Sequence, residues 1–188
     1  MKIIGGEFGG RRLKALKSIK MRPTPMRVKE ALFNILCNRV VGSSFLDLYA
    51  GSGQIGIEAL SRGAKEVIFV DNHPSAIRLI RTNLGFLPYE KSPKIPRNNV
   101  LRAISSLSKE KKRFDIIFLD PPYESRLVKN TLQALAKSDI LKITTLVIAE
   151  HHKSLNLDKE IGSLGRVRQE RYGDTVLTFY QKVRTVGE

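Results

Sequence analysis

Apolar positions along this 188-residue chain change their spacing from one segment to the next, and those changes mark its elements. Residues 1–16 alternate weakly: Ile3-Ile4-Gly5-Gly6, a turn, then Arg11-Arg12-Leu13-Lys14-Ala15-Leu16. That pattern predicts a short β-rich arm. Met21-Arg22-Pro23-Thr24-Pro25 follows as a rigid connector, with Thr24 expected as a helix N-cap and Pro25 as the first helical residue. Val28, Ala31, Leu32, Ile35 and Leu36 then share one face of a helix running to about Asn38.

From Ser44 the rhythm becomes strand then helix. Strands are predicted at Phe45 to Tyr49, Glu66 to Asp71, Asn99 to Leu101, Phe114 to Leu119 and Leu146 to Glu150. Helices are predicted at Ile55 to Arg62, Pro74 to Leu84 and Leu127 to Ala136, with Leu87 to Asn98 as a loop rich in Pro, Lys and Asn. The tail alternates over Arg166 to Tyr172, turns at Gly173-Asp174, and alternates again over Thr175 to Val183, a hairpin. The expected fold is α/β and Rossmann-like: a seven-stranded, mostly parallel sheet with a C-terminal antiparallel hairpin, plus the short N-terminal β arm. A single domain over 1–188 is expected, with 1–40 as arm and helix and 41–188 as the core.

Charge adds a first hint of a partner. The net charge of +15 is uneven: residues 1–40 carry ten Lys/Arg against two acids, and residues 91–120 carry eight against three. Residues 41–90 between them carry four against five. Clustered cations suit a polyanion, because phosphates release counterions when they are neutralised. A solvated basic surface is the other reading of the same numbers. No apolar run approaches the ~20 residues of a membrane helix, and no secretory segment opens the chain. The lone Cys37 cannot close an intrachain disulfide, so a cytoplasmic location is expected.

Asp47-Leu48-Tyr49-Ala50-Gly51-Ser52-Gly53-Gln54-Ile55-Gly56 places G-x-G-x-x-G after a strand and before a helix. Asp71 ends the next strand, where a carboxylate can accept hydrogen bonds from a ribose diol. Both features fit a dinucleotide site as well as an S-adenosylmethionine (SAM) site. Asp47 separates them. A carboxylate at that strand end repels a pyrophosphate, whereas SAM carries an ammonium and a sulfonium and no phosphate. The C-terminal hairpin favours the same choice, being the usual close of a SAM-dependent methyltransferase sheet.

Asp120-Pro121-Pro122-Tyr123 follows the strand Phe114 to Leu119 on the same edge as the glycine loop. It resembles the [DNS]PP[YFW] motif of amino-methyltransferases acting on exocyclic or amide nitrogens. The chemistry suits it. An aryl amine is a poor nucleophile because its lone pair is delocalised, and acceptors such as the Asp120 carboxylate and the Pro121 carbonyl favour a pyramidal nitrogen. Tyr123 offers a face on which a flipped base can stack. The catalytic set is thus Asp120, Pro121, Pro122 and Tyr123, with Asp120 either taking the proton or orienting the amine. DNA adenine or cytosine amines are rival substrates for such a motif, and a non-catalytic rRNA-binding assembly factor is a rival of another class.

The series Ile3-Ile4-Gly5-Gly6, Gly10-Arg11-Arg12-Leu13, Arg22 to Leu36, Asp47 to Ala64, Asp120 to Tyr123 and Tyr172 to Thr175 is similar to the RsmD family over nearly the whole chain. Those are bacterial 16S rRNA guanine-N2 methyltransferases. The resemblance implies a SAM-dependent methyltransferase fold. It implies 16S rRNA as partner, within a 30S subunit or assembly intermediate; apart from the resemblance, a monomer is the default expectation. It implies a cofactor set of Arg22, Pro23, Thr24, Asp47, Tyr49, Ala50, Gly51, Ser52, Gly53, Asp71 and Asn72, and phosphate contacts from Arg11, Arg12 and Lys14. No metal is expected. No acidic residue follows the expected third strand, where the chain reads Val100-Leu101-Arg102-Ala103, so the group that holds the adenine stays open. His73, His151 and His152 are expected at the surface or an edge, and Cys37 as a small buried hydrophobe.

Overall fold

A computed structural model describes residues 1–15, 24–85, 87, 93–122 and 125–183 of the chain. Arg22, Pro23 and Tyr123, all assigned roles above, lie outside the described residues.

The strands are β1 (Ser44–Leu48), β2 (Glu66–Val70), β3 (Phe114–Leu119), β4 (Leu141–His152), β5 (Glu160–Ile161), β6 (Leu164–Tyr172) and β7 (Thr175–Lys182). They form one sheet in the order β2-β1-β3-β4-β7-β6-β5. The first four are parallel to one another, and β7, β6 and β5 add antiparallel pairs. The parallel strands are near-continuous apolar runs because both of their faces are covered.

One face, presenting Phe45, Phe69, Phe118 and Ile148, packs against α1 (Met26–Leu36), α2 (Gln54–Ser61) and α3 (Pro74–Gly85). Ile3, Phe8 and Leu13 of the arm complete that core. The other face, presenting Leu46, Leu48, Ile117, Leu119 and Val147, packs against α4 (Val100–Lys109) and α5 (Ser125–Ala136).

The arm is held by side chains more than by a ladder. Lys2 and Arg12 form an isolated antiparallel bridge. The N–H groups of Ile4 and Gly5 both donate to the Glu58 carboxylate at 2.8 Å. Glu58 also holds Lys29 Nζ at 3.2 Å and Arg62 Nε at 2.9 Å, with Lys29 and Glu58 buried. Burial lowers the Lys29 pKa, the Arg62 charge adds to that, and the Glu58 charge and hydrogen bond oppose it.

The structure corrects four local expectations. The third strand expected at Asn99 to Leu101 is the first turn of α4, where the Asn99 side chain accepts from Leu101 N–H at 2.9 Å. An Asn cap outweighs the β propensity of the single β-branched Val100. The extended segment comes earlier: Lys94 bridges Ile68 and Arg97 bridges Asp71, both parallel, beside β2. Thr24 does not cap α1. Pro25 is the N-cap, and the Thr24 hydroxyl instead donates to Glu150 Oε2 at 2.9 Å. Cys37 is exposed, because the helix face ends at Leu36 and a 3₁₀ turn, Cys37–Arg39, follows. His151 is buried, because β4 runs past Glu150 and pairs His151 with Val176 of β7. Its Nε2 lies 2.8 Å from Thr178 Oγ1.

Among the described residues, no helix is long and apolar enough to cross a membrane.

Candidate active site

Strand order reverses between β1 and β3, and ligands of open α/β sheets bind in the crevice at such a point. Leu48 pairs with Val70 on one side and Leu119 on the other, and Leu119 pairs with Ala149. The next residues of those strands are Asp71, Tyr49, Asp120 and Glu150. They therefore stand in one row across the carboxyl edge, neighbours about 4.8 Å apart. Period-2 alternation carries Asp47, Asp71, Asp120 and Glu150 to the α1–α2 face.

Tyr49 breaks that alternation. Its φ of 62° is in the left-handed region, unusual for a non-glycine residue and a mark of stored strain. The twist turns the side chain to the other face, where it packs with the α4–α5 core and its hydroxyl meets Thr131 Oγ1 of α5 at 2.8 Å. That bond links the glycine loop to the helix that follows Asp120-Pro121-Pro122.

Two of the loop glycines do work that L side chains resist. Gly53 has φ 78° as the N-cap of α2, and its N–H donates to Ala50 O at 2.7 Å. Gly56 lets α2 lie on the sheet, since a Cβ there would fall 2.3 Å from Phe69 Cε1. Asp71 Oδ2 accepts from Gly51 N–H at 2.9 Å and Oδ1 from His73 N–H at 2.8 Å. Asp47 Oδ2 accepts from Gly56 N–H at 2.9 Å, capping α2 from a distance in sequence.

Of the residues assigned to cofactor or catalysis, Thr24, Asp47, Tyr49, Ala50, Gly51, Ser52, Asp71, Asn72, Asp120, Pro121 and Pro122 line one cavity of about 810 Å³. Gly53 supports the loop from behind and does not line it. Arg11, Arg12 and Lys14 lie on the exposed side of the arm, with the Arg11 guanidinium 5.9 Å from the Phe8 ring centroid. The arm is also cavity wall. Met1 and Ala15 line it, and Met1 Sδ accepts from Ser52 Oγ at 3.5 Å. Asn83, fully buried, joins arm and loop: it accepts from Lys14 N–H at 2.8 Å and donates to Ser52 O at 3.0 Å.

The cavity's charge is opposite to that of the chain. Five acidic residues line it (Asp47, Asp71, Asp120, Glu150 and Asp174) and no Lys or Arg does, among the described residues. Burial, with Asp71 nearby, pushes the Asp47 carboxyl up to about 7 against the Gly56 hydrogen bond. Burial does the same to Glu150, up to about 7, against the Thr24 bond. Asp120 is raised well above the usual carboxylate range, first by burial and then by the charges of Glu150 and Asp47. No described residue donates a hydrogen bond to Asp120. Crowded acids without cations hold protons until a positive ligand or an N–H donor arrives. Such a cavity disfavours a phosphate-bearing dinucleotide and suits a ligand with an ammonium, a sulfonium and a ribose diol. Among the described residues, no group of three or more His, Cys, Asp or Glu is arranged to hold a metal ion.

Sequence reasoning missed Glu150, Met1, Asn99 and Leu101 as cavity residues. Glu150 had a readable signal: it is a carboxylate that interrupts the apolar run Leu146 to Ala149, as Asp71 and Asp120 follow theirs. Met1 had none, because nothing local says where an arm docks.

Residues 1–181 match the family described as Conserved hypothetical protein 95. YlbH of Bacillus subtilis is 39% identical over 182 residues, covering 97% of this chain and 99% of that one. The Escherichia coli protein named Ribosomal RNA small subunit methyltransferase D is 30% identical over 182 residues, covering 97% and 90%. A solved structure of Escherichia coli yhhF superposes with a TM-score of 0.83 at 30% identity, covering 97% of each chain.

Proposed function

This chain belongs to the family described as Conserved hypothetical protein 95, and from that premise we propose that it methylates the exocyclic N2 amine of a guanine in 16S rRNA with SAM as donor. A relative named as a small-subunit rRNA methyltransferase, matching over 97% of the chain, supports rRNA methylation as the coarse activity. The single observation that carries the finer reading is the cavity lined by five acids and, among the described residues, by no Lys or Arg, in which Asp120, with no hydrogen-bond donor among those residues, meets the glycine loop.

Bound SAM supplies an electrophilic methyl on a positively charged sulfur. The protein's part is to hold, orient and exclude. Asp71 accepts from the ribose hydroxyls. Asp47 faces the ammonium while its other oxygen stays on Gly56 N–H. The loop Ala50-Gly51-Ser52 closes on the cofactor's backbone-facing side. With SAM bound, Asp120 and the Pro121 carbonyl would accept the two N2–H groups and turn the nitrogen lone pair toward the methyl, and the N–H proton lost as the N–C bond replaces the S–C bond would pass to the Asp120 carboxylate or to solvent. The prolines fix the Asp120 segment, and small misplacements at this step cost much of the gain from proximity. Arg11, Arg12 and Lys14, next to the cavity wall formed by Ala15, take rRNA phosphates. The net charge of +15 favours that partner. The protein acts in the cytoplasm as a monomer on a 30S particle or its precursor.

Nucleoside analysis of 16S rRNA from a strain lacking the gene tests this. The reading expects one N2-methylguanosine to disappear and to return with the wild-type gene but not with Asp120→Ala. An unchanged nucleoside profile contradicts it.

A further inference from the structure

Glu150 stands one strand over from Asp120 in the same row, within β4 at the carboxyl edge of the parallel strands. It is buried and lines the same cavity. Its Oε2 is held by the Thr24 hydroxyl at 2.9 Å. Its Oε1 accepts from no described residue, and among the described residues no buried side-chain oxygen or nitrogen is left without a partner. Oε1 therefore opens into the cavity. Among the described residues, the one hydrogen bond to the Glu150 carboxylate comes from Thr24, itself buried just before the α1 N-cap Pro25, and it aims the carboxylate.

We propose that Glu150 reads the Watson–Crick edge of the target base by accepting its N1–H, while Asp120 accepts from the neighbouring amine. This rests on the guanine-N2 reading above and adds to it the residue that selects the base. Guanine presents N1–H and N2–H side by side, both donors. Two acceptors on adjacent strands match that pair. A purine with a lone pair at N1 turns that lone pair toward a carboxylate, and a buried acceptor left facing an acceptor is strongly penalised. Sites built around one such hydrogen bond reject the analogue lacking it by orders of magnitude. Thr24 is then a positioning residue: it fixes which Glu150 oxygen faces the base.

The test uses full-length protein and labelled SAM at about pH 8.5, above the value of about 7 to which burial raises the Glu150 carboxyl. Wild type first modifies 30S particles from a strain lacking the gene, and the labelled guanosine is mapped. Particles are then rebuilt with 16S rRNA carrying 2-aminopurine or 2,6-diaminopurine at that position. Both keep the 2-amine and lack N1–H. Wild type is expected to prefer guanine by at least about a hundredfold in kcat/KM. Glu150→Gln is expected to lose most of that preference through a slower reaction on guanine, with SAM affinity kept within about threefold. Thr24→Val is expected to fall between. Wild type using both analogues as well as guanine overturns the inference while leaving N2 methylation intact, and so does Glu150→Gln retaining the full preference. If no label enters N2-methylguanosine at all, the reading beneath it falls and the inference with it. Should Glu150→Gln not fold, the wild-type analogue comparison and Thr24→Val still decide.

Discussion

Asp47 accepts a hydrogen bond from the Gly56 N–H at 2.9 Å, so the residue expected to face the cofactor also caps the helix that follows the glycine loop. The two roles separate in Asp47→Asn. The amide oxygen still takes the Gly56 N–H, but the charge is gone. The expected result, by calorimetric titration at about pH 8, is a Kd for SAM raised at least about tenfold, or about 1.4 kcal/mol. Binding as tight as wild type removes Asp47 from the cofactor site.

Asp47 also sets a pH dependence. Its folded pKa, about 7, lies above its ordinary value because of burial. A raised acid contributes stability that is fully present below the unfolded pKa and is lost as pH rises through the folded one. The ligand-free thermal midpoint of wild type, measured relative to Asp47→Asn, is therefore expected to rise from about pH 8 to about pH 6. Affinity for the cationic cofactor is expected to fall over the same interval, since it needs the ionised form. A relative midpoint that drops on acidification contradicts the assignment.

Glu58 carries two backbone donors of the arm and two cations. Glu58→Ala takes the ion-pair partner from buried Lys29 and leaves it only the weaker attraction of Glu30, a loss on the order of 3–5 kcal/mol. Urea unfolding should show that loss, and Glu58→Gln a smaller one. A change below about 1 kcal/mol in the alanine variant means the arm is held some other way.

Gly56 packs where no side chain fits. An alanine Cβ would lie 2.3 Å from Phe69 Cε1 and 2.9 Å from Val67 Cγ1. Overpacking of that kind is expected to cost about 1–3 kcal/mol despite alanine's better helix propensity. Equal or higher stability of Gly56→Ala by the same unfolding measurement contradicts the close-approach argument.

The arm cations make a separable prediction. Replacing Arg11 and Arg12 with alanine is expected to raise KM for 30S particles severalfold and to flatten its salt dependence, while the Kd for SAM stays put. A changed SAM Kd with an unchanged RNA KM reverses the assignment.

What could be read in advance followed the length of the pattern. β1, β2, β3 and the β6–β7 hairpin were legible because buried parallel strands are continuous apolar runs and the hairpin alternates cleanly. The carboxylates at the strand ends, Asp71 and Asp120, were legible for the same reason: each interrupts such a run. The segment after Leu87 was not. Its short strand-like piece at Lys94 to Arg97 contains Pro96 and pairs only at two bridges, while α4 starts on an Asn cap that a three-residue window cannot weigh. Thr24, Glu150 and His151 depend on partners more than a hundred, or some tens, of residues away, and no local spacing encodes such pairings. Met1 reached the cavity wall through the docking of the whole arm on Glu58 and Asn83.

The central claim is that Asp120 directs methyl transfer to guanine N2. Its most direct test is incorporation of labelled methyl from SAM into unmodified 30S particles and naked 16S rRNA, with wild type and Asp120→Asn side by side. The account predicts label in N2-methylguanosine with wild type, and a rate at least about a hundredfold lower with the variant at unchanged SAM affinity. Label in a different nucleoside, or equal rates from the two proteins, contradicts it.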